Sequence, residues 1–535
     1  MTRGGFGLVL HAHIPYVRKA GVWPFGEEWL FEVMADSYIP LLHMLEGLGV
    51  PGKPLLSIGV TPVLLEQLAD DYIKGRFEQY LYQRLDLCAK DMEHHRDRPE
   101  RRELARMYEA NYHHVLSLFK DHFHRDLVGG FRRLQDEGRI ELLASAATHG
   151  YLPLLGTPAS VRAQVRLGVE SFERHFGRAP RGIWLPECGY RPGLERFLTD
   201  EGLEYFVVDH HTIEGGRAEG IYWERFPFLQ RGTRQGNGPH EFQPSGRTTY
   251  RPYYMKSDGR TLAVFGRNEK TGLQVWSGEW GYPGDGWYRE FHKRDSVSGL
   301  QYWCVTDRQN RDLGAKLFYE PDKVEARTEE NSTHFVGMVR DLIDRNGGDF
   351  VPIVAAPYDT ELFGHWWFEG IRWMRLVLEK LRKAGVEPLS LGAYLSENPP
   401  SQMISLPESS WGAGGDHRIW QNNDTAWIWN EIYSAEKWME QAASAYKDRE
   451  DQKELLRQAA RELLLMESSD WEFLITTFQA RDYGVNRFRE HLGRFNSLKH
   501  AMEGSGTADL FGIQQVDNLF PELDVSVYIT PRGEK

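Results

Sequence analysis

Two carboxylates stand at the ends of apolar runs: Glu187 follows Ile183-Trp184-Leu185-Pro186, and Asp359 follows Val354-Ala355-Ala356-Pro357-Tyr358. Breaking a glycosidic bond needs one such group ionised, to attack or stabilise the anomeric carbon. It needs a second one protonated, to give the departing oxygen its proton. Apolar and aromatic flanks raise a carboxyl pKa, and a neighbouring negative charge adds to the shift. A lone Asp after a strand is commonly a helix N-cap or an ion-pair partner. Two carboxylates in equivalent positions favour chemistry instead.

Histidines mark the same kind of place: His11-Ala12-His13 closes the first apolar run, His149 the third, and Asp209-His210-His211 the fifth. Imidazoles with Asp359 suit zinc or a related ion. Neutral His11, His13 and His149 would equally hydrogen-bond a hydroxyl-rich ligand, or orient their neighbours. These residues alone leave the three readings open. His94, His95, His113, His114, His122 and His124 fall in a charged helical stretch and read as a solvated face.

Aromatic residues make up 13% of the chain, with 17 Trp among them. Trp276 and Trp411 lie in glycine-rich contexts, VWSGEWGYPG and SSWGAGG, where a core role is less expected. Flat C–H faces of sugar rings stack on such side chains, and the indole N–H bonds hydroxyls.

The elements that must position these groups are seven apolar runs: Phe6–Leu10, Pro54–Val60, Ile140–Ala146, Gly182–Leu185, Tyr205–Val208, Leu262–Phe265 and Phe350–Ala355. Near-continuous hydrophobicity is the pattern of strands buried on both faces of a parallel sheet, and helical patterns separate them. Seven strands, one short of eight, suggest an α/β fold: a seven-stranded (β/α)7 barrel, incomplete and TIM-like. Six of the runs end in chemically capable residues, on the face where such barrels build their sites.

We divide the chain into a catalytic barrel over 1–395, with a charged helical insertion at 76–137 and a Gly-, Pro- and polar-rich mobile loop at 231–253. A helical C-terminal domain follows at 396–535, within which Trp427 and Trp429 alternate as a strand would. A helix is expected over 366–384.

The 535 residues carry a net charge of −13, which disfavours nucleic acid and anionic membranes as partners. Three dispersed cysteines imply neither a disulfide framework nor a structural zinc site. Neither a secretory leader nor a membrane span is read from the sequence, so a cytoplasmic location is expected.

Together the segments HAHIPY (11–16), EEWLFEVMADSYIPLL (27–42), ATHGYLPLL (147–155), WLPECGY (184–190), FGRNEKTGLQVWSGEWGYPGD (265–285), APYDTELFGHWWFEG (356–370), SSWGAGGDHRIWQN (409–422), SSDWEFLI (468–475) and DNLFPELD (517–524) resemble glycoside hydrolase family 57, of the 1,4-α-glucan branching type. The resemblance spans essentially the whole chain. It implies the seven-stranded barrel, the insertion, and a C-terminal domain that lends residues to the cleft. It casts Glu187 as nucleophile and Asp359 as general acid/base. His11, His13 and His149 would line the cleft. Arg267, Gly284, Trp411 and Asp470 would contact substrate, with Trp276 and Trp420 as further aromatic walls. It implies no cofactor and no catalytic metal, and an α-1,4-glucan such as amylose or glycogen as partner. The implied reaction is a retaining double displacement that makes α-1,6 branches in glycogen biosynthesis.

The same scaffold would also carry an α-1,4-glucan hydrolase of the α-amylase type or a 4-α-glucanotransferase. More remote are a metal-dependent amidohydrolase or deacetylase and a non-catalytic glycogen-binding protein. Some branching members of the family carry a tyrosine near the tip of the loop over the cleft. Residues 231–249 hold none, Phe242 being the only aromatic there.

Overall fold

All seven apolar runs form strands in the computed structural model, which describes residues 4–217, 241–278 and 280–529. They are β1 (Gly4–Ala12), β2 (Ser57–Val60), β3 (Glu141–Ser145), β4 (Gly182–Trp184), β5 (Tyr205–Val208), β9 (Arg260–Gly266) and β10 (Ile353–Asp359). Three things were not anticipated: a small β6–β7 pair (Gly216–Arg217, Glu241–Phe242), β8 (Tyr253–Ser257) and β11 (Val386–Pro388). The order is β10-β1-β2-β3-β4-β5-β9-β8, parallel throughout except for β8, with β11 parallel beside β1. Every residue of β1, β2, β4 and β5 is buried, as two-faced coverage requires.

The sheet curls without closing. Among the described residues no ladder joins β9 to β10. The seam is stitched by the Asn268 N–H to the Ala355 carbonyl (2.8 Å) and the Ile353 N–H to the Tyr250 carbonyl (2.9 Å).

The stretch read as an insertion at 76–137 is helical, carried mostly by helices Asp71–His94, Pro99–Ser117 and Leu127–Asp136, the first of which starts ahead of 76. Asp70 fixes the earlier start, its carboxylate accepting the Ile73 N–H at 3.0 Å. The solvated-face reading fails at His95, which is 1% exposed because the turn after the first helix packs under segment 285–320. The helix expected over 366–384 spans Gly370–Lys383. Of the expected loop, 231–240 lies outside the described residues; within the rest, Phe242 is buried with its ring 4.6 Å from that of His211.

Beyond β11 the described chain is helical, with helices Ala426–Tyr446, Lys453–Met466, Asp470–Thr476, Arg481–Met502 and Leu510–Val516 among them. Trp427 and Trp429 are on the first of these, not on a strand. Two aromatics two apart carry too little periodicity to separate the cases. This helical part grips the barrel. Tyr16 donates its hydroxyl to the Val516 carbonyl (2.9 Å), Arg18 reaches the Gln515 carbonyl (2.7 Å), and Arg487 reaches the Tyr16 carbonyl (3.3 Å). One hydrophobic cluster runs through both parts. The three cysteines are free and buried. No helix among the described residues is long and apolar enough to cross a membrane.

Candidate active site

Parallel register sets the first geometry: His11 of β1 lies opposite Asp359 of β10. β4 ends in a short turn at Pro186–Cys188 that carries Glu187 at φ 61° and Cys188 at φ 49°, both in the left-handed region. His149, after β3, has φ 58°. Backbone held in that region by non-glycine residues costs energy and concentrates at functional sites. Segment 409–411 pins the turn: Tyr190 and Ser409 exchange backbone hydrogen bonds of 2.8 and 2.9 Å, and the Trp411 N–H reaches the Glu187 carbonyl at 2.9 Å.

Both Glu187 carboxylate oxygens are held from outside the barrel strands. The Trp411 indole N–H donates to Oε2 at 2.7 Å, and the Ser469 hydroxyl donates to Oε1 at 3.2 Å. Behind Ser469 runs a chain of imidazoles: His149 Nδ1 lies 2.8 Å from Ser469 Oγ, and His149 Nε2 lies 3.0 Å from His11 Nε2. Burial and neighbouring imidazoles hold the pKa of His11 well below its ordinary value; burial and His13 do the same for His149. With both rings neutral, one arrangement satisfies the network. His11 Nε2–H donates to His149, His149 Nδ1–H to Ser469, and Ser469 O–H to Glu187. His11 stacks on Trp184, ring centroids 4.9 Å apart.

His13 behaves differently. Burial works against its charge, but Asp470, by charge and hydrogen bond, raises its pKa, with Glu361 and Glu187 adding to the effect. Burial likewise opposes ionised Asp470, yet His13, His149 and Ser468 hold its carboxyl below the usual range. The pair is 2.9 Å apart, and Ser468 Oγ donates to Asp470 at 2.5 Å. His13 Nδ1 lies 2.9 Å from Thr61 Oγ1.

Burial raises the Glu187 pKa to about 7, with Trp411 the strongest restraint on that rise. Half-buried Asp359 is pushed well above the ordinary carboxylate value by burial, then by Glu361 and Glu187, against the pull of Arg267. Burial raises both carboxyl groups, but their partners differ: Glu187 accepts hydrogen bonds from Trp411 and Ser469, whereas Asp359 faces the charges of Glu361 and Glu187. Donors that hold a carboxylate favour its ionised form and neighbouring negative charge favours the protonated acid, the two states that attack on an electrophilic carbon and proton donation require. Arg267, after β9, has a guanidinium nitrogen 3.9 Å from Asp209 and lies over the Trp411 ring at 5.8 Å.

The half-buried indoles of Trp276, Trp366 and Trp411 form a connected wall, with centroids 6.4 Å apart for Trp276–Trp366 and 6.5 Å for Trp276–Trp411. Trp420 corrects an expectation. At 1% exposure its ring stacks on Tyr151 (4.2 Å) beneath Gly412, so it has no face to offer a sugar and supports the Trp411 segment instead. His11 and His149, at 2% and 3%, do not line the cleft surface either; they act through Ser469 on Glu187. Gly284 is buried where a Cβ would meet the Gly278 carbonyl oxygen at 1.9 Å, a backbone reason for glycine.

His13, His149 and Asp470 each present a metal-capable atom within 4.8 Å of the others. The rings of His13 and His149 are nearly parallel, 18° apart, with centroids at 3.9 Å. In-plane lone pairs of stacked rings do not converge on one ion, so the set fits a hydrogen-bonded network and not a metal centre.

A profile described as Glycosyl hydrolase family 57 matches residues 7–407. The chain belongs to this family. A second profile, 1,4-alpha-glucan branching enzyme, C-terminal, matches residues 431–528. The chain is 44% identical to a 1,4-alpha-glucan branching enzyme of Thermococcus kodakarensis, over 99% of this chain and 79% of that one. The crystal structure of a family 57-type branching enzyme from Pyrococcus horikoshii superposes with a TM-score of 0.87 at 42% identity, covering 100% of this chain and 98% of that one. The alpha-amylase AmyC of Thermotoga maritima superposes at 0.83 with 29% identity, covering 99% of each.

In this family 57 chain, sequence reasoning passed over Ser469, Glu361, Trp184 and Tyr38. Ser469 adjoins Asp470, but its contact with Glu187 spans 282 positions and has no local signal. Glu361 lies two residues past Asp359 in the same motif. Its carboxylate accepts the His13 N–H at 3.0 Å and the Tyr38 hydroxyl, and burial raises its pKa to about 7. A third carboxylate so near the first two was a readable signal.

Proposed function

We propose that this chain is a 1,4-α-glucan branching enzyme, a retaining transglycosylase in which Glu187 is the nucleophile and Asp359 the general acid/base. The observation that carries the assignment of roles is the pair of donors, Trp411 and Ser469, that hold the Glu187 carboxylate, while Asp359 at the end of β10 faces the negative charges of Glu361 and Glu187. The branching reading draws on the C-terminal profile at 431–528 and on the full-length likeness to branching enzymes.

The Glu187 carboxylate attacks the anomeric carbon of an α-1,4-linked glucan while Asp359 gives its proton to the departing 4-oxygen. A glycosyl ester on Glu187 results. Asp359, now ionised, takes the proton of a 6-hydroxyl on an acceptor glucose. The freed oxygen displaces Glu187 and forms the α-1,6 branch. Donors from Trp411 and Ser469 orient the attacking carboxylate. Trp276, Trp366 and Trp411 supply apolar faces for glucose rings and limit the access of water to the ester. Arg267 and Asp470 are the charged groups proposed to reach substrate hydroxyls. Glycogen is the polymer proposed to be made. A cytoplasmic location is part of the same proposal, and the free thiols are compatible with a reducing compartment.

Hydrolysis is the competing outcome, favoured by the likeness to the alpha-amylase of Thermotoga maritima and by the loop 231–249 without tyrosine. Incubation with amylose, followed by reducing-end counts before and after debranching, separates the two. Branching yields new α-1,6 links with few new reducing ends; a rise in reducing sugar without branches rejects it. Glu187→Ala is expected to lower kcat by about 10³-fold or more.

A further inference from the structure

The strongest unassigned chemistry lies in the helical insertion. Asp91 and His95 are one turn apart at the C-terminal end of the helix Asp71–His94, where the His95 N–H bonds the Asp91 carbonyl at 2.8 Å. Facing them is Asp295, from the segment 285–320 that precedes the helix Pro321–Asn346. One donor atom from each residue lies within 4.8 Å of the other two, and His95 Nε2 is 3.8 Å from Asp295 Oδ2.

All three residues are buried, and three of their polar atoms have no hydrogen-bond partner: Asp91 Oδ1 and both ring nitrogens of His95. A buried imidazole with neither nitrogen satisfied is costly and calls for a ligand. The other carboxylate oxygens are already fixed. Asp91 Oδ2 accepts the Tyr302 hydroxyl, and Asp295 Oδ1 accepts the N–H groups of Val297 (2.9 Å) and Ser298 (3.3 Å). Each acid therefore has one oxygen anchored and one left over, the arrangement of outer-shell bonds that orients metal ligands. Arg101 is the facing cation, 3.8 Å from Asp295 Oδ2, beyond hydrogen-bond reach, and it lies over the rings of Trp303 (5.6 Å) and Phe318 (5.3 Å).

A contrast sharpens the case. The buried trio Glu462, His491 and Asp517 has comparable composition, but His491 is bonded at both nitrogens, to Glu462 (2.9 Å) and Arg487 (2.9 Å), and Arg494 engages Asp517 at 2.6 Å. His491 is thus satisfied at both ring nitrogens, whereas His95 is satisfied at neither.

We propose that Asp91, His95 and Asp295 bind one divalent transition-metal ion of the zinc class, which braces the helical insertion against segment 285–320. One imidazole and two carboxylates are a donor set that suits Zn²⁺. Tetrahedral donors at ~2.0–2.1 Å from the ion are ~3.4 Å apart. The 3.8 Å His95–Asp295 separation reaches that value by a side-chain movement of a few tenths of an ångström.

The test uses the full chain, stripped with a chelator and titrated with Zn²⁺, with bound metal counted by elemental analysis. Co²⁺ replaces Zn²⁺ for the electronic spectrum. The expected result is one equivalent of bound metal and an imidazole-bearing Co²⁺ spectrum. In His95→Gln and Asp91→Asn, affinity falls about tenfold or more while circular dichroism and glucan activity stay at wild-type levels. Equal binding by wild type and variants, or none, overturns the proposal; a water alone would then complete the cluster. If the variants fail to fold, anomalous diffraction at the zinc edge from wild-type crystals decides. A peak among the three side chains upholds the site, and its absence in crystals soaked with zinc rejects it.

Discussion

Glu187 is held by two donors of different strength, and the difference has a measurable consequence. The Trp411 indole N–H at 2.7 Å is the largest influence that keeps the Glu187 pKa from rising past about 7. Trp411→Phe keeps the ring and removes the donor. A hydrogen bond to a charged group is worth about 1.5–3 kcal/mol, equivalent to ~1–2 pH units. The donor stabilises the ionised form, so its loss raises the pKa. The acid limb of the kcat/KM profile, expected near pH 7 in the wild type, should move to higher pH in the variant by about one unit. An unmoved limb would dissociate Glu187 from that ionisation. Arg267→Met acts on the partner: it removes a cation that lowers the Asp359 pKa, so the alkaline limb should also move upward. At this scale the sequence was legible for placement: Glu187 and Asp359, marked by their position after apolar runs, stand at the ends of β4 and β10. It was silent for Ser469, a hydroxyl whose importance exists only through folding, and misleading for Trp420, because composition does not tell a wall from a buttress.

Elements were legible in proportion to how completely they are buried. Strands covered on both faces write continuous apolar runs, and all seven could be read. β8, which alternates between buried and outward residues at the edge of the sheet, left no such trace. Helices joined through polar contacts are equally hard to place from sequence. The helix Ala426–Tyr446 docks on the barrel through Glu436, which accepts the Gly156 N–H at 3.0–3.1 Å next to Glu467, itself bonded to Gln164 at 2.7 Å. Burial raises the pKa of both acids, and for Glu436 the charge of Glu467 adds to the rise. The folded state therefore keeps protons that the unfolded chain releases above the ordinary glutamate value of about 4.3. Their contribution to stability is full below that pH and declines as pH rises through the raised values. Glu436→Gln removes one of these protons from the balance. Its stability should fall less steeply between pH 5 and pH 9, and at pH 9 it should exceed wild type by about 1 kcal/mol or more in denaturant titrations. A slope identical to wild type would mean the pair ionises freely in the fold.

On the scale of the whole molecule, barrel and helical part share one hydrophobic cluster and are tied by Tyr16, Arg18 and Arg487 across roughly 470–500 positions. Such sharing predicts a single cooperative thermal transition. Differential scanning calorimetry should give one peak, with Glu187→Ala leaving its midpoint nearly unchanged; two resolved peaks would mean the halves melt separately.

The turn carrying Glu187 has a consequence during synthesis. Its carboxylate leaves the ribosome more than two hundred residues before Trp411 and almost three hundred before Ser469. A nascent chain therefore holds this carboxylate without either of its donors, which form only once the later segments fold onto the barrel. With Glu187 as the proposed nucleophile, a chain cut short before Ser469 is expected to leave amylose unchanged in the branching assay.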